Sequence, residues 1–280
     1  MCATCGCDQP GMVKITNVRD MLFPQTHTHA HHHEHGDHNH HHSHEHHHLT
    51  EQPLKRTQID LEMDILHKNN LLAERNRGYF AAKDITAFNL VSSPGSGKTA
   101  LLECTLRDLG KELDFFVIEG DQQTTNDADR IAQYHVPVIQ INTGRGCHLD
   151  STMVWDALTD LKPKNNSVVF IENIGNLVCP SMFDLGENKR VVIISVTEGE
   201  DKPLKYPDMF AGSQVCIINK IDLLPYLKFD LPKLKEYARR INPNLHFIEL
   251  SCSSGEGLDQ WYAWLNNELK TASRNELVSS

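Results

Sequence analysis

The sequence predicts an α/β fold in which a mostly parallel sheet is covered by helices on both faces. From residue 86 onward, short apolar runs rich in Val, Ile and Phe alternate with amphipathic segments of helix length. This alternation is typical of successive βαβ units, in which each helix crosses over the sheet between two parallel strands. The apolar fraction of 39% is that of a globular protein with a buried core.

The N-terminal part of the chain differs from the rest. Residues 1–56 are rich in Cys and His and carry few apolar side chains, so we expect a largely disordered tail. Apolar residues then recur at helical spacing, which predicts a helix over 57–83. The sequence is therefore divided into the tail, 1–56, and an α/β domain, 57–280.

Seven strands and four further helices are predicted in the domain. The strands are 87–91, 115–119, 136–141, 168–172, 191–196, 215–219 and 246–250. The helices between them are 98–109, 126–134, 149–161 and 231–241. Ligands of such sheets bind beyond the carboxyl ends of the strands, and the motifs of this sequence fall at those ends.

Composition and charge exclude several classes of function. The chain has no apolar run of 18 residues, and its N-terminus does not resemble a signal peptide, so we expect a cytoplasmic protein without a membrane contact. A formal charge of −10 argues against nucleic-acid binding. The eight cysteines of a cytoplasmic protein are better candidates for metal ligands than for disulfides.

A glycine-rich motif, SSPGSGKT, occupies residues 92–99 between the first predicted strand of the domain and the following helix. Gly95 and Gly97 allow backbone N–H groups to surround a phosphate, and the helix N-terminus adds partial positive charge. Lys98 is predicted to contact the β- and γ-phosphates, and Thr99 to ligate Mg²⁺. The sequence thus predicts a P-loop NTPase, with these phosphate-binding residues: Ser93, Gly95, Ser96, Gly97, Lys98, Thr99 and Ala100.

Two later strand ends indicate that the base is guanine. Asn219, Lys220 and Asp222 form an NKxD motif, in which Asp222 would accept hydrogen bonds from the guanine N1 and exocyclic amine. Ser251 and Cys252 fit a second loop, which would contact the guanine carbonyl. We therefore expect a GTPase that cycles between GTP and GDP.

Carboxylates follow two other strands. Glu172 ends one strand and Asp121 follows another, so both are candidates to hold Mg²⁺ together with Thr99. Lys98, Asp121 and Glu172 are accordingly the predicted catalytic residues. Gln122 and Gln123 are candidates to position water.

Three features could bind a soft or borderline metal ion. Cys2, Cys5 and Cys7 offer thiolates that suit Ni²⁺ or Zn²⁺. Most of the 18 histidines form an irregular tract, which suits storage through overlapping weak sites. The predicted storage residues are His31, His32, His33, His40, His41, His42, His46, His47 and His48.

The third feature lies in the domain. Cys147 and His148 follow one strand, and Cys179 follows the strand that ends at Glu172. If these loops meet, three ligands would lie next to the nucleotide, and metal affinity could depend on whether GTP or GDP is bound. A closed site would need water or ligands from a second subunit, such as a symmetric dimer supplies.

Together these motifs resemble the HypB family of hydrogenase nickel-incorporation GTPases over nearly the whole chain. The resemblance is carried by eight segments: CATCGC at 2–7, NNLLAERNR at 69–77, SSPGSGKT at 92–99, EGDQQT at 119–124, NTGRGCHLD at 142–150, ENIGNLVCP at 172–180, TEGEDKPLKYP at 197–207 and NKID at 219–222.

The resemblance implies a SIMIBI-type GTPase that couples GTP hydrolysis to nickel insertion into the large subunit of [NiFe]-hydrogenase. It implies a GTP-promoted homodimer and a zinc-containing partner, the nickel chaperone HypA. It further implies that Cys147, His148 and Cys179 hold metal in the GTPase domain, and that Cys2, Cys5 and Cys7 form a separate, tighter nickel site.

Three alternatives remain open at the level of the sequence. One is the related urease-maturation GTPase, which would carry a Cys-x-His motif and lack the N-terminal thiols. Another is a nickel or zinc storage protein with a regulatory GTPase domain. The last is a zinc chaperone, because the choice of nickel over zinc as the cargo rests more on the resemblance than on residue chemistry.

Overall fold

A computed structural model describes residues 14–17, 58–122 and 126–279. Its strands are β1 (Lys14–Asn17), β2 (Thr86–Ser92), β3 (Phe115–Asp121), β4 (Val138–Asn142), β5 (Val168–Glu172), β6 (Lys189–Ser195), β7 (Val215–Asn219) and β8 (His246–Glu249). The eight strands form one sheet in the order β1-β4-β3-β5-β2-β6-β7-β8, and only β1 is antiparallel to its neighbour. The predicted fold class is confirmed.

The predicted helices lie between the strands, and the structure adds several short helices and a long C-terminal one that were not predicted. They are α1 (Gln58–Ala82), α2 (Lys98–Leu109), α3 (Asn126–Ala132), α4 (Ser151–Leu161), α5 (Cys179–Met182), α6 (Lys202–Lys205), α7 (Pro207–Ala211), α8 (Leu231–Ile241) and α9 (Leu258–Ser279). A 3₁₀ helix spans Ile221–Tyr226. Within the described residues, no helix combines the length and hydropathy needed to cross a bilayer.

Apolar side chains fill both faces of the sheet. Alternate residues of β2 point to opposite sides, so that Phe88 and Leu90 pack with α2 and with Trp261 of α9. Ala87 packs on the other face with Phe80 of α1 and with α4. Because both faces are covered, the ligand-binding groups are confined to the edge at which the parallel strands end.

Several predicted boundaries are shifted for local reasons. Strand β4 begins at Val138 rather than at 136, because Pro137 has no N–H to donate to a ladder and contributes only its carbonyl, to Val117 N. Helix α4 begins at Ser151 rather than at 149, because Asp150 caps it by accepting from Met153 N at 2.8 Å. Helix α3 ends at Ala132 rather than at 134, shortly before His135 adopts a left-handed backbone conformation.

Strand β1 was not predicted, and Lys14–Asn17 are the part of residues 1–56 that the structure describes. The strand is four residues long, and its one apolar side chain, Ile15, packs on the core. One apolar residue is too few to give the alternating pattern by which a strand is predicted. Its register places Lys14 opposite Asn142, at the carboxyl end of β4. The chain therefore enters the sheet at the edge that carries the predicted nucleotide motifs.

Candidate nucleotide and metal site

The predicted phosphate loop turns between β2 and α2. Gly95 and Gly97 have positive φ values of 75° and 100°, which favour glycine. A Cβ on Gly97 would also collide with the Asn219 amide, which donates to Ser96 O at 3.0 Å. Lys98 lies at the first position of α2 and donates from Nζ to Ser92 Oγ at 3.0 Å. The loop has the glycine conformations and the lysine position of a phosphate cradle.

The loops predicted to bind the base meet beside this turn. Asn219 Oδ1 accepts from Cys252 N at 3.2 Å, and Lys220 Nζ donates to Gly95 O at 2.8 Å. Ser251 is fully buried and holds the same loop by accepting from Ser254 N. The structure thus brings the NKxD motif, the 251–252 loop and the phosphate loop together as predicted.

Asp222 has an unusual environment in this group. Its Oδ1 is buried and accepts no hydrogen bond from the described residues. Burying an acceptor without a partner costs about 1–3 kcal/mol, and this cost is recovered when a ligand supplies a donor. Asp222 can therefore accept a ligand N–H, such as guanine N1–H or its amine.

Carboxylates gather where β3 and β5 end. Thr99 Oγ1 donates to Glu172 Oε1 at 2.6 Å, and the register places Glu119 directly beside Glu172. Glu172 Oε2 and Glu119 Oε2 are buried and accept no hydrogen bond within the described part of the chain. Asp121 follows on β3 and accepts from Gln122 N at 2.7 Å. Unpartnered carboxylate oxygens beside a threonine hydroxyl fit a Mg²⁺ ion, which prefers oxygen ligands.

The electrostatics of this cluster agree with such a fit. Burial and the neighbouring Glu172 and Asp121 raise the pKa of Glu119 to about 9, and burial raises the pKa of Glu172. Lys98 opposes both shifts. Glu119 was not among the predicted site residues, because its place beside Glu172 depends on the register of β3 and β5.

The raised pKa of Glu119 leads to a prediction about stability. The ordinary pKa of this carboxyl is 4.5, so its contribution to stability is present below about pH 4.5 and is lost as the pH rises towards 9. Glu119→Gln is neutral throughout and should raise the Tm of the nucleotide-free protein, by about 2–4 °C for each kcal/mol regained. In thermal unfolding experiments, the increase in Tm should become larger from pH 5 to pH 9. The exposed Glu112→Gln is the control; a pH-independent gain would contradict the prediction.

Another pair of charged residues, which was not among the predicted site residues, borders the phosphate loop. Glu198 Oε1 accepts from Ser96 Oγ at 2.7 Å, and its Oε2 lies 3.0 Å from Lys202 Nζ. Lys202 Nζ also donates to Ser93 Oγ at 3.1 Å. Burial opposes ionisation of Glu198, but the hydrogen bonds from Ser96, Ser93 and Lys202 outweigh it and lower its pKa. The Glu198 carboxylate therefore remains ionised beside the loop.

The predicted metal ligands of the domain converge as expected. Cys147 Sγ lies 2.7 Å from Cys179 Sγ and 3.7 Å from His148 Nδ1, and the three ligand atoms lie within 4.8 Å of one another. Neither cysteine forms a disulfide. Among the residues that the structure describes, this is the one cluster of at least three Cys, His, Asp or Glu side chains whose ligand atoms are this close together.

The neighbours of these ligands fix their positions. The His148 ring stacks on Phe183, with ring centroids 3.8 Å apart. Burial lowers the pKa of His148, although Asp150 opposes the shift, so the ring stays neutral and keeps a lone pair for a metal. Gln122 Nε2 donates to Gly146 O at 3.2 Å, which ties the ligand loop to the residue after Asp121.

Other predicted residues lie outside the described residues. These are Gln123, the thiols Cys2, Cys5 and Cys7, and the storage histidines His31, His32, His33, His40, His41, His42, His46, His47 and His48.

Comparisons with known proteins give the same family as the motifs. Residues 86–249 match the family "CobW/HypB/UreG, nucleotide-binding domain". The hydrogenase maturation factor HypB of Escherichia coli is 56% identical over 214 residues, which cover 76% of this chain and 74% of that protein.

Two solved structures are similar in fold as well as in sequence. The hydrogenase maturation factor HypB of Archaeoglobus fulgidus is 37% identical, with a TM-score of 0.68, covering 72% of this chain and 99% of that one. HypB of Helicobacter pylori in complex with nickel is 36% identical, also with a TM-score of 0.68, covering 73% and 96%.

Proposed function

The chain belongs to the HypB group of the CobW/HypB/UreG family of nucleotide-binding proteins, and on this premise we propose that it is a GTP-hydrolysing nickel metallochaperone. It would couple GTP binding and hydrolysis to insertion of nickel into the large subunit of [NiFe]-hydrogenase. The observation that carries the proposal is the convergence of Cys147, His148 and Cys179 in loops that follow two nucleotide-side strands.

The nucleotide is GTP in this proposal. Ser93, Gly95, Ser96, Gly97, Lys98, Thr99 and Ala100 surround the phosphates, and Asn219, Lys220, Asp222, Ser251 and Cys252 bind the base. The buried, unpartnered Oδ1 of Asp222 supports guanine, because adenine presents no donor at the equivalent ring position.

Hydrolysis would depend on positioning and electrostatics rather than on covalent chemistry. Lys98 stabilises negative charge on the phosphates, while Thr99, Asp121 and Glu172 hold Mg²⁺ directly or through water. When bound, the ion supplies positive charge to the phosphate oxygens. A bound cation would oppose the burial that raises the pKa values of Glu119 and Glu172.

The cargo is proposed to occupy the Cys147, His148 and Cys179 site. Two thiolates and an imidazole are suitable ligands for Ni²⁺ and also for Zn²⁺. Three protein ligands leave at least one coordination position of the ion open, which suits a site that releases its ion. A symmetric homodimer formed in the presence of GTP would complete the shell while the ion is held.

The tail is proposed to supply nickel. Cys2, Cys5 and Cys7 would form the tighter site, and the histidine tract would buffer the ion. HypA, a zinc-containing nickel chaperone, and the hydrogenase large subunit are the proposed partners, in the cytoplasm.

The proposal is tested by equilibrium competition between Ni²⁺ and Zn²⁺, with GDP and then with a non-hydrolysable GTP analogue. The thiolate-to-nickel charge-transfer band reports sulfur ligands and is insensitive to the histidine tract. The full chain would carry Cys2→Ala, Cys5→Ala and Cys7→Ala, so that only the domain thiols contribute.

We expect the Ni²⁺ affinity to differ at least about fivefold between the two nucleotide states, which is the lower end of typical coupling between sites. Equal Ni²⁺ affinities would contradict a nucleotide-controlled chaperone and favour storage. A nucleotide effect on Zn²⁺ alone would favour the zinc-chaperone alternative.

A further inference from the structure

Asn173 connects the nucleotide side of the sheet to a metal-ligand loop. It directly follows Glu172 and is almost fully buried. Its Oδ1 accepts from Ile174 N at 2.9 Å and from Leu149 N at 3.3 Å. Leu149 is the residue after His148. One side chain therefore joins the carboxylate strand β5 to the loop that carries Cys147 and His148.

The amide nitrogen of Asn173 takes part in a series of buried side-chain hydrogen bonds. Its Nδ2 donates to Asn89 Oδ1 at 3.3 Å, and Asn89 Nδ2 donates to Glu187 Oε1 at 3.0 Å. Asn89 lies in the middle of β2, the strand that leads into the phosphate loop. Asn173 is thus also held to the strand that carries the phosphate loop.

The segment that carries Cys179 is held by Arg190, at the other end of this series of hydrogen bonds. Arg190 donates from Nε to Glu187 Oε1 at 3.0 Å. Its two terminal nitrogens donate to Ser181 O and Phe183 O, both at 3.1 Å. These carbonyls belong to α5 and the residue after it, so Arg190 attaches the Cys179 segment to strand β6.

The two ligand-bearing segments are therefore supported differently. Cys179 is tied through a buried arginine with several bonds. The Cys147–His148 loop is bonded through Asn173 Oδ1 to Leu149 N, through Gln122 Nε2 to Gly146 O at 3.2 Å, and through Asn176 Nδ2 to Cys147 O at 3.4 Å. Buried groups that lose a partner cost about 1–3 kcal/mol, so a shift of Asn173 should be followed by Leu149.

We propose that Asn173 is the positioning residue that couples Glu172 to the metal ligands Cys147 and His148. This inference rests on the proposed function. When the nucleotide state changes the position of Glu172, whose Oε1 holds Thr99 at 2.6 Å, Asn173 moves with it and shifts the Cys147–His148 loop. Cys179 stays fixed by Arg190, so the distance between the ligands changes, and with it the affinity for the ion.

The test compares Asn173→Ser with the unmodified residue, in the full chain whose Cys2, Cys5 and Cys7 are Ala. The serine side chain is shorter than that of asparagine and loses the bond to Leu149 N. Ni²⁺ affinity is measured by the charge-transfer band with GDP and with the GTP analogue. The ratio of the two affinities should fall from at least about fivefold to about one. GTP binding should be retained.

A further variant makes the result specific. Asn242→Ser removes another amide, which donates to Phe210 O at 3.1 Å and Ser213 O at 2.8 Å, remote from the metal ligands, and should keep the ratio. Thermal unfolding checks that each variant is folded.

The outcomes separate this inference from the proposed function. If Asn173→Ser kept the full ratio of the two Ni²⁺ affinities, the role of Asn173 would be overturned while the proposed chaperone function would stand. Equal affinities in the chain that retains Asn173 would overturn the proposed function, and the coupling with it. By reciprocity, Ni²⁺ should change the affinity for the GTP analogue by the same factor, and Asn173→Ser should abolish that effect too.

Discussion

Replacing Asp222 with Asn should lower the affinity for GTP by about 100-fold or more and raise the affinity for xanthosine triphosphate. Asp222 Oδ1 is buried without a partner among the described residues, so it is available to accept from the guanine N1–H and amine. A hydrogen bond to a charged group contributes about 1.5–3 kcal/mol. Loss of the two bonds from guanine should therefore lower the affinity for GTP by about 100-fold or more. Titration calorimetry with both nucleotides measures the change.

The xanthine nucleotide makes the prediction specific to base recognition. Xanthine carries a carbonyl where guanine carries its amine, so the side-chain NH₂ introduced by Asp222→Asn would find an acceptor in place of a donor. Asp230→Asn is the matched control, because Asp230 caps α8 by accepting from Lys233 N at 3.0 Å. It should leave the preference unchanged. Equal losses of GTP and xanthosine triphosphate binding by the Asp222 variant would indicate a structural role only.

The sequence predicted the parallel part of the sheet well because both faces of each parallel strand are buried. Strands such as β5 and β7 read as continuous apolar runs, and the chain changes sharply to Gly or polar residues at their ends. The motifs at those ends are placed together by the fold class alone. This is why the phosphate loop, the NKxD motif and the two metal-ligand loops could be assigned to one edge.

The missed features are those that depend on tertiary contacts. Strand β1 has one packed apolar side chain and pairs with β4 only through its backbone, so its four residues carry no pattern of their own. Glu119 becomes notable only because the register sets it beside Glu172. The sequence shows Arg190 only as a charged residue in a strand, because its role depends on the carbonyls of Ser181 and Phe183, which the fold brings to it.

Replacing Cys179 with Ser should weaken Ni²⁺ binding at the domain site by at least about 100-fold. Removing a residue that only supports a metal ligand typically costs 10–100-fold in affinity, so loss of a thiolate ligand itself should cost about the upper figure or more. The serine hydroxyl is a harder donor and stays protonated near neutral pH. The charge-transfer band of the full chain with Cys2, Cys5 and Cys7 as Ala should nearly disappear.

The control for this variant is Cys216→Ala, in which a thiol of the same chain is removed away from the site. Cys216 is fully buried in β7, and burial raises its pKa, so it offers no thiolate to an ion. Nickel binding should be unchanged. GTP hydrolysis should stay within about threefold in both variants, because Cys179 lies seven residues beyond Glu172 and contacts Cys147 rather than the carboxylates.

A different pattern would change the assignment of the cargo site. If Cys179→Ser kept nickel affinity and lost hydrolysis, the pair formed with Cys147 would serve to hold the loop after Glu172 rather than to bind metal. If the otherwise unmodified chain kept a tight nickel site after Cys179→Ser, that site would lie in the tail. Adding Cys2→Ala, Cys5→Ala and Cys7→Ala should then remove it. The two thiolate sites are separable only if each set of substitutions removes its own site and spares the other.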